Sequence, residues 1–266
     1  WWVTGSDIDG FRCDLAFWVE LDFWKEARPA LDAVKPLFWL GEFDELEHPA
    51  YGEVFDASYS WSWMHHAAEY MKAPGDTTDL MNILKRYDDL GDHTMRAWFT
   101  TNHDENSWNG TEFEKYGPLA PALAVFSSTW NGIPLLYSGQ ELPNTKRLAF
   151  FDKDPIEWNG TYQLHGFYQA LLRLHTEHPA LRGGDTSVRT IRVKTNAGKQ
   201  ILAYLRRWRE KEVLVFLNFT AETLSVEIND NNVKGAYRNV FSNEQKDLGT
   251  IRDLILVPFG YFVFEK

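Results

Sequence analysis

The organisation of the chain follows from the stretch Asp9-Gly-Phe-Arg-Cys-Asp-Leu-Ala16. Side chains alternate along a strand, so Arg12 and Asp14 would share one face while Phe11 and Cys13 share the other. Buried charges are costly unless they are paired. The pattern has two interpretations. It is either a structural Arg–Asp pair, or a carboxylate kept ionised by a guanidinium at a strand end and ready to act as a nucleophile.

The composition is that of a globular protein with one large and one small domain. The chain has 266 residues, of which 44% are hydrophobic and 24% charged. A net charge of −11 argues against a nucleic-acid partner, because phosphate binding needs a positive face. No uninterrupted apolar run is long enough to span a bilayer, so we expect no membrane partner. The compartment stays open, with a secreted or periplasmic location favoured over a cytoplasmic one.

Strand and helix patterns alternate through the first two thirds of the chain. The predicted strands are 9–16, 38–42, 54–57, 96–101 and 132–137, and the predicted helices are 20–34, 61–71, 80–90, 119–130 and a segment around 167–175. This alternation is typical of a parallel sheet with crossover helices, and polar residues gathered at strand ends favour a (β/α)8 TIM barrel. We therefore expect an α/β fold in which residues 1–179 supply about strands 4 to 8 of such a barrel.

The pattern changes after Pro179. From Thr186 onward, short runs rich in Val, Ile, Leu and Tyr are separated by turn residues. Such spacing predicts an antiparallel β-sandwich domain over 180–266.

Three acids follow three of the predicted strands. Asp14, Glu42 and Asp104 each come at the end of an apolar run. The carboxyl ends of barrel strands meet on one face, so these carboxylates are expected in one pocket. Paired carboxylates are what glycoside hydrolysis requires, one as a nucleophile and one as a proton donor.

Four segments together resemble the α-amylase family of glycoside hydrolases (family 13). They are Asp9-Gly-Phe-Arg-Cys-Asp14, Gly41-Glu42, Thr101-Asn-His-Asp-Glu-Asn106 and Gly132-Ile-Pro-Leu-Leu-Tyr-Ser-Gly-Gln-Glu141. They occur in the order that the family has, and the following β domain is similar to the family's C-terminal domain.

The resemblance implies a role for each of five residues. Asp14 would be the catalytic nucleophile, held ionised and oriented by Arg12. Glu42 would be the general acid and then the general base. Asp104 and His103 would bind the same sugar ring, and the mechanism would be retaining.

The sequence also departs from the family pattern. Many members carry Lys-His after the nucleophile, where this chain has Phe17 and Trp18. The family's first signature segment is absent, and with it part of the usual calcium site. No cofactor is required for the chemistry, and a structural calcium is possible but not supported by this chain alone; the metal ligands stay unknown.

Aromatic residues near the strand ends are candidates for sugar contacts. Trp18 either stacks on a sugar or packs under the next loop. Phe43 and Trp108 are further candidates for the glucan groove, with Trp108 set in a polar loop. Trp61 and Trp63 are also near strand ends, but packing between barrel and helices is the favoured interpretation for both.

The predicted activity is hydrolysis of α-1,4-glucosidic bonds in starch, glycogen or maltooligosaccharides. A transglycosylase of the same family and a non-catalytic carbohydrate-binding relative or subunit are the alternatives. All three acids are present, which favours an enzyme. The chain opens at Trp1-Trp2 almost directly before its first strand. We therefore expect an N-terminal fragment or a companion chain to complete the barrel.

Overall fold

A parallel sheet forms the first part of the structure. The computed structural model describes residues 1–91 and 93–266. Within them, this sheet contains the strands β1 (Gly10–Cys13), β2 (Phe38–Asp44), β3 (Ala57–Tyr59), β4 (Met95–Trp98) and β5 (Ile133–Pro134). Each strand pairs in parallel with the next, in sequence order. Parallel neighbours need a crossover connection, so the predicted alternation of strands and helices is confirmed.

Helices pack against this sheet. The described α-helices are α1 (Trp2–Gly5), α2 (Leu21–Asp32), α3 (Trp61–Tyr70), α4 (Thr78–Asp89), α5 (His103–Trp108), α6 (Glu112–Tyr116), α7 (Ala120–Thr129) and α8 (His165–Glu177). Trp63 of α3 stacks on Phe126 of α7 with ring centres 4.4 Å apart, and Trp98 of β4 packs edge-on against both. Sheet and helices therefore share one core. Among the described residues, no helix combines the length and apolarity needed to cross a bilayer.

Several strand boundaries differ from the predicted ones. The third strand begins at Ala57 rather than at Val54, because the chain before it is wound into a 3-10 helix over Pro49–Glu53. β2 continues to Asp44, so Glu42 lies inside the strand and not at its end. β4 and β5 are shorter than predicted. Because β4 ends at Trp98, the polar residues between this strand and the candidate acid Asp104 lie outside the sheet.

Gly10 is required by the close approach of β1 to β2. A Cβ at this position would lie 2.1 Å from the carbonyl oxygen of Phe38, so a larger residue would force the two strands apart. The register pairs Gly10 with Phe38 and ends with Cys13 beside Gly41. The next residue along each strand is an acid, so this register brings Asp14 level with Glu42.

An antiparallel β domain follows the parallel sheet. Its described strands are β6 (Arg189–Arg192), β7 (Ile201–Trp208), β8 (Lys211–Asn218), β9 (Leu224–Glu227), β10 (Ala236–Asn239), β11 (Gln245–Asp247), β12 (Asp253–Leu256) and β13 (Tyr261–Glu265). One sheet has the order β11-β10-β13-β8-β7-β6, and the other pairs β12 with β9. Phe216 of the first sheet packs in one core with Val226 and Leu254 of the second. The predicted antiparallel sandwich is confirmed, and the boundary at residue 179 stays a prediction.

Candidate active site

The guanidinium of Arg12 contacts both Asp14 and Glu42, the two acids that the strand register brings level. Arg12 Nη1 contacts Asp14 Oδ1, and Arg12 Nη2 lies 3.1 Å from Glu42 Oε1. The carboxylates therefore come from neighbouring strands and bind the two arms of the same cation. A planar guanidinium suits this arrangement because its donors diverge in fixed directions.

The two carboxylates differ in their environment. The Asp14 side chain is 72% exposed, whereas that of Glu42 is 7% exposed. The backbone N–H of Leu15 donates to Glu42 Oε2 over 2.7 Å. Leu15 has φ 40° and ψ 46°, in the left-handed region, where a residue with a Cβ pays roughly 1–2 kcal/mol. This turn directly after Asp14 is what points the Leu15 N–H at Glu42.

Tyr59 is a third partner of the guanidinium, and the sequence pattern does not predict it. Arg12 Nε donates to the Tyr59 hydroxyl over 3.3 Å. Burial raises the pKa of Tyr59; the Arg12 contact opposes this shift, while the charges of Glu42 and Asp104 add to it. Asp104 therefore lies within electrostatic reach of the group that contacts Arg12. A strand placed at 57–59 would have revealed Tyr59 at its carboxyl end.

Arg12 stays a cation throughout any working pH range. Burial alone would lower its pKa, but the hydrogen bonds to Tyr59 and Asp14 and the charge of Glu42 raise it above its ordinary value. The group can therefore orient and balance the two carboxylates without titrating itself.

His103 and Asp104 lie on the first turn of α5. Asn102 caps this helix, and its side-chain oxygen accepts from the N–H groups of Asp104 over 3.0 Å and Glu105 over 2.8 Å. His103 Nε2 is 3.4 Å from Asp104 Oδ2. The capped turn thus presents an imidazole and a carboxylate side by side, which strict strand alternation would not have allowed.

The fourth sequence segment braces this end of the sheet. Gln140 is buried and donates to the Thr100 hydroxyl over 3.0 Å and to Glu112 Oε2 over 2.9 Å. The side-chain oxygen Oε1 of Gln140 accepts from the backbone N–H of Tyr137. Burial raises the pKa of Tyr137, and the charge of Asp104 raises it further.

The prediction that Phe43 contacts substrate is wrong. Its side chain is 1% exposed and packs against Phe55 and Tyr51, with ring centres 5.5 and 5.7 Å apart. Alternation along β2 explains this, because Phe43 shares a face with Trp39, which is also buried in this cluster, and Glu42 points the opposite way.

The other two candidates for sugar contacts, Trp18 and Trp108, are exposed. Trp18 follows the turn after Asp14 and contacts only the edge of Phe17 among the described ring pairs. Trp108 lies at the end of α5, on the same short helix as His103 and Asp104. Trp63 is buried in the core, and Trp61 stacks on Tyr59 with ring centres 5.6 Å apart.

The described residues contain no group of three or more His, Cys, Asp or Glu side chains placed to hold a metal ion.

A buried ion pair lies next to His103 and Asp104 on α5. Glu105 Oε2 is 2.8 Å from Lys115 Nζ, and the two side chains are 4% and 6% exposed. Burial raises the pKa of Glu105, but the hydrogen bond from His65 and the charge of Lys115 outweigh it and bring the pKa to about 2. Burial lowers the pKa of Lys115 more than Glu105 raises it.

We expect Glu105→Gln to lower the free energy of unfolding by about 3–5 kcal/mol, because it leaves the buried Lys115 ammonium without a counter-charge. Urea unfolding at pH 7 measures the change. The double variant Glu105→Gln with Lys115→Met should recover most of the loss, since no buried charge remains. A single variant within about 0.5 kcal/mol of the parent would contradict this account.

Known proteins share part of this sequence. No family model matches the chain. A protein named α-amylase MalA from Haloarcula japonica is 27% identical over 224 residues, which is 82% of this chain and 32% of that protein. A cyclomaltodextrinase from Geobacillus thermopakistaniensis is 26% identical over 249 residues, which is 85% of this chain and 39% of that protein. The chain thus spans less than half the length of either relative.

Solved structures show the same fold. A maltogenic α-amylase, AmyB from Thermotoga neapolitana, has a TM-score of 0.84 at 22% identity, covering 100% of this chain and 63% of that one. A cyclomaltodextrinase structure has a TM-score of 0.80 at 19% identity, covering 99% and 46%. The fold is therefore about five strands of a (β/α)8 barrel followed by an antiparallel β-sandwich. In sequence and in fold the chain is similar to part of proteins named α-amylase, maltogenic α-amylase and cyclomaltodextrinase, which confirms its predicted resemblance to the α-amylase family.

Proposed function

We propose that this chain carries the reacting groups of a retaining glycoside hydrolase that cleaves α-1,4-glucosidic bonds in starch, glycogen or maltooligosaccharides. The observation that carries the proposal is the guanidinium of Arg12, which contacts both Asp14, directly after β1, and Glu42, within the neighbouring strand β2. The names of the relatives, α-amylase and cyclomaltodextrinase, agree with this substrate class.

In the first step, Asp14 acts as the nucleophile. Its exposed carboxylate forms a bond to the anomeric carbon while the bond from that carbon to the glycosidic oxygen breaks. Glu42 gives its proton to the departing oxygen, which leaves as a sugar hydroxyl. The difference in exposure suits this division, because the open carboxylate of Asp14 can reach a sugar carbon.

In the second step, Glu42 acts as a base. It takes a proton from a water molecule whose oxygen attacks the anomeric carbon, and the ester bond to Asp14 breaks. Two displacements at the same carbon restore its configuration. The Leu15 N–H, which donates to Glu42, keeps that carboxyl group in one orientation through both steps.

The remaining residues bind the sugar. Asp104 and His103 would hold hydroxyl groups of the ring at which bonds change, and Arg12 would hold the Asp14 carboxylate in place between turnovers. Trp18 and Trp108 are exposed near these groups and would contact neighbouring rings. The three acids of the site, Asp14, Glu42 and Asp104, lie on separate elements. Their relative positions therefore depend on the register of β1 with β2 and on the cap of α5.

Residues outside this chain would complete the barrel. Within the described residues, β1 and β5 each pair with one neighbouring strand, whereas every strand of a closed barrel pairs with two. The chain also covers 63% of the AmyB structure. A further segment of the same polypeptide or a companion chain would supply the missing strands.

Trapping the covalent intermediate tests the proposal. The protein that contains this chain is incubated with 5-fluoro-α-glucosyl fluoride, which loses fluoride to form the glycosyl-enzyme and then reacts slowly with water. We expect one fluoroglucosyl group on the peptide that contains Asp14, detected by mass spectrometry. The variant Asp14→Asn should remain unlabelled. Labelling elsewhere, or fluoride release with no label on Asp14, would contradict the assignment.

Product analysis separates hydrolysis from glucan transfer. A hydrolase converts maltotriose to shorter sugars and glucose, whereas a transglycosylase also makes sugars longer than maltotriose. Both outcomes use the same intermediate on Asp14, so this assay tests which acceptor resolves it.

A further inference from the structure

Three exposed aromatic rings form one surface cluster, which we call the aromatic platform. It consists of Trp108, Phe150 and Phe151, which are 56%, 40% and 84% exposed. The ring centre of Phe150 is 5.1 Å from that of Trp108 and 4.9 Å from that of Phe151, and Trp108 and Phe151 are 6.0 Å apart. Large apolar rings that contact one another while facing solvent are unusual in a stable monomer and mark binding surfaces.

The aromatic platform continues directly from the candidate site. The imidazole of His103 stacks on Phe150, with ring centres 6.2 Å apart and planes inclined by 21°. Trp108 is on the same helix as His103 and Asp104, whereas the two phenylalanines come from the long loop after β5. Two separate parts of the chain therefore meet to extend one surface outward from His103.

Buried polar contacts hold this loop against α5. Asn106 is buried; its Oδ1 accepts from the N–H of Leu148 over 2.8 Å, and its Nδ2 donates to the carbonyl of Lys146 over 3.2 Å. On the other side of the phenylalanines, Asp154 accepts from the N–H of Ala149 over 2.9 Å and pairs with the ammonium of Lys146. The rings are thus presented on a braced loop, which lowers the entropic cost of binding.

We propose that the aromatic platform binds the pyranose rings of a glucan chain that extends beyond the ring held at His103 and Asp104. This inference rests on the proposed function and adds a site for longer substrates. A sugar ring has an apolar face of C–H groups that covers an aromatic ring, and hydroxyl groups around its rim. Charged groups that can bind hydroxyls lie on the same loop as the two phenylalanines: Arg147 pairs with Glu114 at 2.9 Å, and Lys146 pairs with Asp154.

Dependence on chain length distinguishes this role from general support of the site. We expect Phe151→Ala to lower kcat/KM on maltoheptaose about tenfold, mainly through KM, because one ring contact is lost. The loss should be much smaller on maltotriose and smallest on α-glucosyl fluoride, which occupies a single ring position. Trp108→Ala should show the same order of losses. Phe23→Ala, which removes an exposed ring on α2, is the matched control and should leave all three rates unchanged.

Three results would overturn the inference. They are equal losses on all three substrates, no loss on maltoheptaose, or self-association of the parent that is lost in Phe151→Ala, which would assign the rings to contact between copies. A parent protein inactive on every substrate would count against the proposed function instead. In that case calorimetry of maltoheptaose binding decides the matter, because weaker binding by Phe151→Ala than by Phe23→Ala supports the platform and equal binding refutes it.

Discussion

Exchanging Glu42 for glutamine is expected to lower kcat/KM on maltoheptaose by about 10²- to 10⁴-fold, the range that general acid–base catalysis supplies. Glutamine keeps the shape of the side chain and an oxygen that can accept from the N–H of Leu15. It cannot donate a proton to the leaving oxygen and then recover one from water. The fold should persist, so the loss reports on chemistry.

The substrate dependence of this loss identifies the role of Glu42. Fluoride leaves without a proton, so the first step on α-glucosyl fluoride should be affected far less than the first step on a maltooligosaccharide. In Glu42→Ala, azide should speed turnover of the fluoride and give α-glucosyl azide, because it attacks the intermediate on Asp14. In Asp14→Ala, azide attacks the substrate directly and should give the β product.

Glu47→Gln is the matched control for this series. Glu47 is an exposed acid a few residues after β2, and its exchange removes one negative charge from the same region. We expect its rate to equal that of the parent. If Glu42→Gln and Glu47→Gln behave alike, or if both azide products have the same configuration, the assignment of Glu42 and Asp14 fails.

The sequence predicted this part of the site because its residues lie on regular strands. Alternation placed Phe11 and Cys13 against the helices, where both pack in the core around Trp39. It also placed Arg12 and Asp14 on the opposite face, where they contact each other. The same rule, applied to β2, would have excluded Phe43 once Glu42 was assigned to the site.

Residues on irregular segments were harder to predict. Tyr59 was missed because a 3-10 helix, a local structure without a clear hydrophobic period, delays the third strand. Asp104 was placed at a strand end, although Asn102 followed by two acids is a signal for a helix start. Phe150 and Phe151 lie in a loop whose position depends on contacts with Asn106, which no local pattern encodes.

Replacing Arg12 by lysine is expected to lower kcat about 10²- to 10³-fold, as the loss of a preorganised electrostatic contact does in other enzymes. Lysine keeps the positive charge, but a single ammonium cannot contact Asp14, Glu42 and the Tyr59 hydroxyl in the directions that the three guanidinium nitrogens take. One carboxylate would lose its partner and turn away from the substrate.

The pH–rate profile of the Arg12 variants separates this role from a structural one. Arg12→Ala leaves two neighbouring carboxylates without a cation between them, which makes them harder to ionise together. The acidic limb of kcat/KM against pH should therefore move to higher pH in Arg12→Ala and move less in Arg12→Lys. A merely structural arginine would change stability without moving this limb.

Arg28 provides the matched control, because it also binds two carboxylates. Its Nη2 is 2.6 Å from Asp56 and its Nε is 3.2 Å from Asp32, at a place where α2 packs on the strands. Arg28→Lys should lower stability and leave the pH–rate profile of the parent in place. If both variants move the profile equally, or if Arg12→Lys keeps the parent's kcat, then Arg12 forms only a structural ion pair. The alternative that the strand pattern left open would then be the correct one.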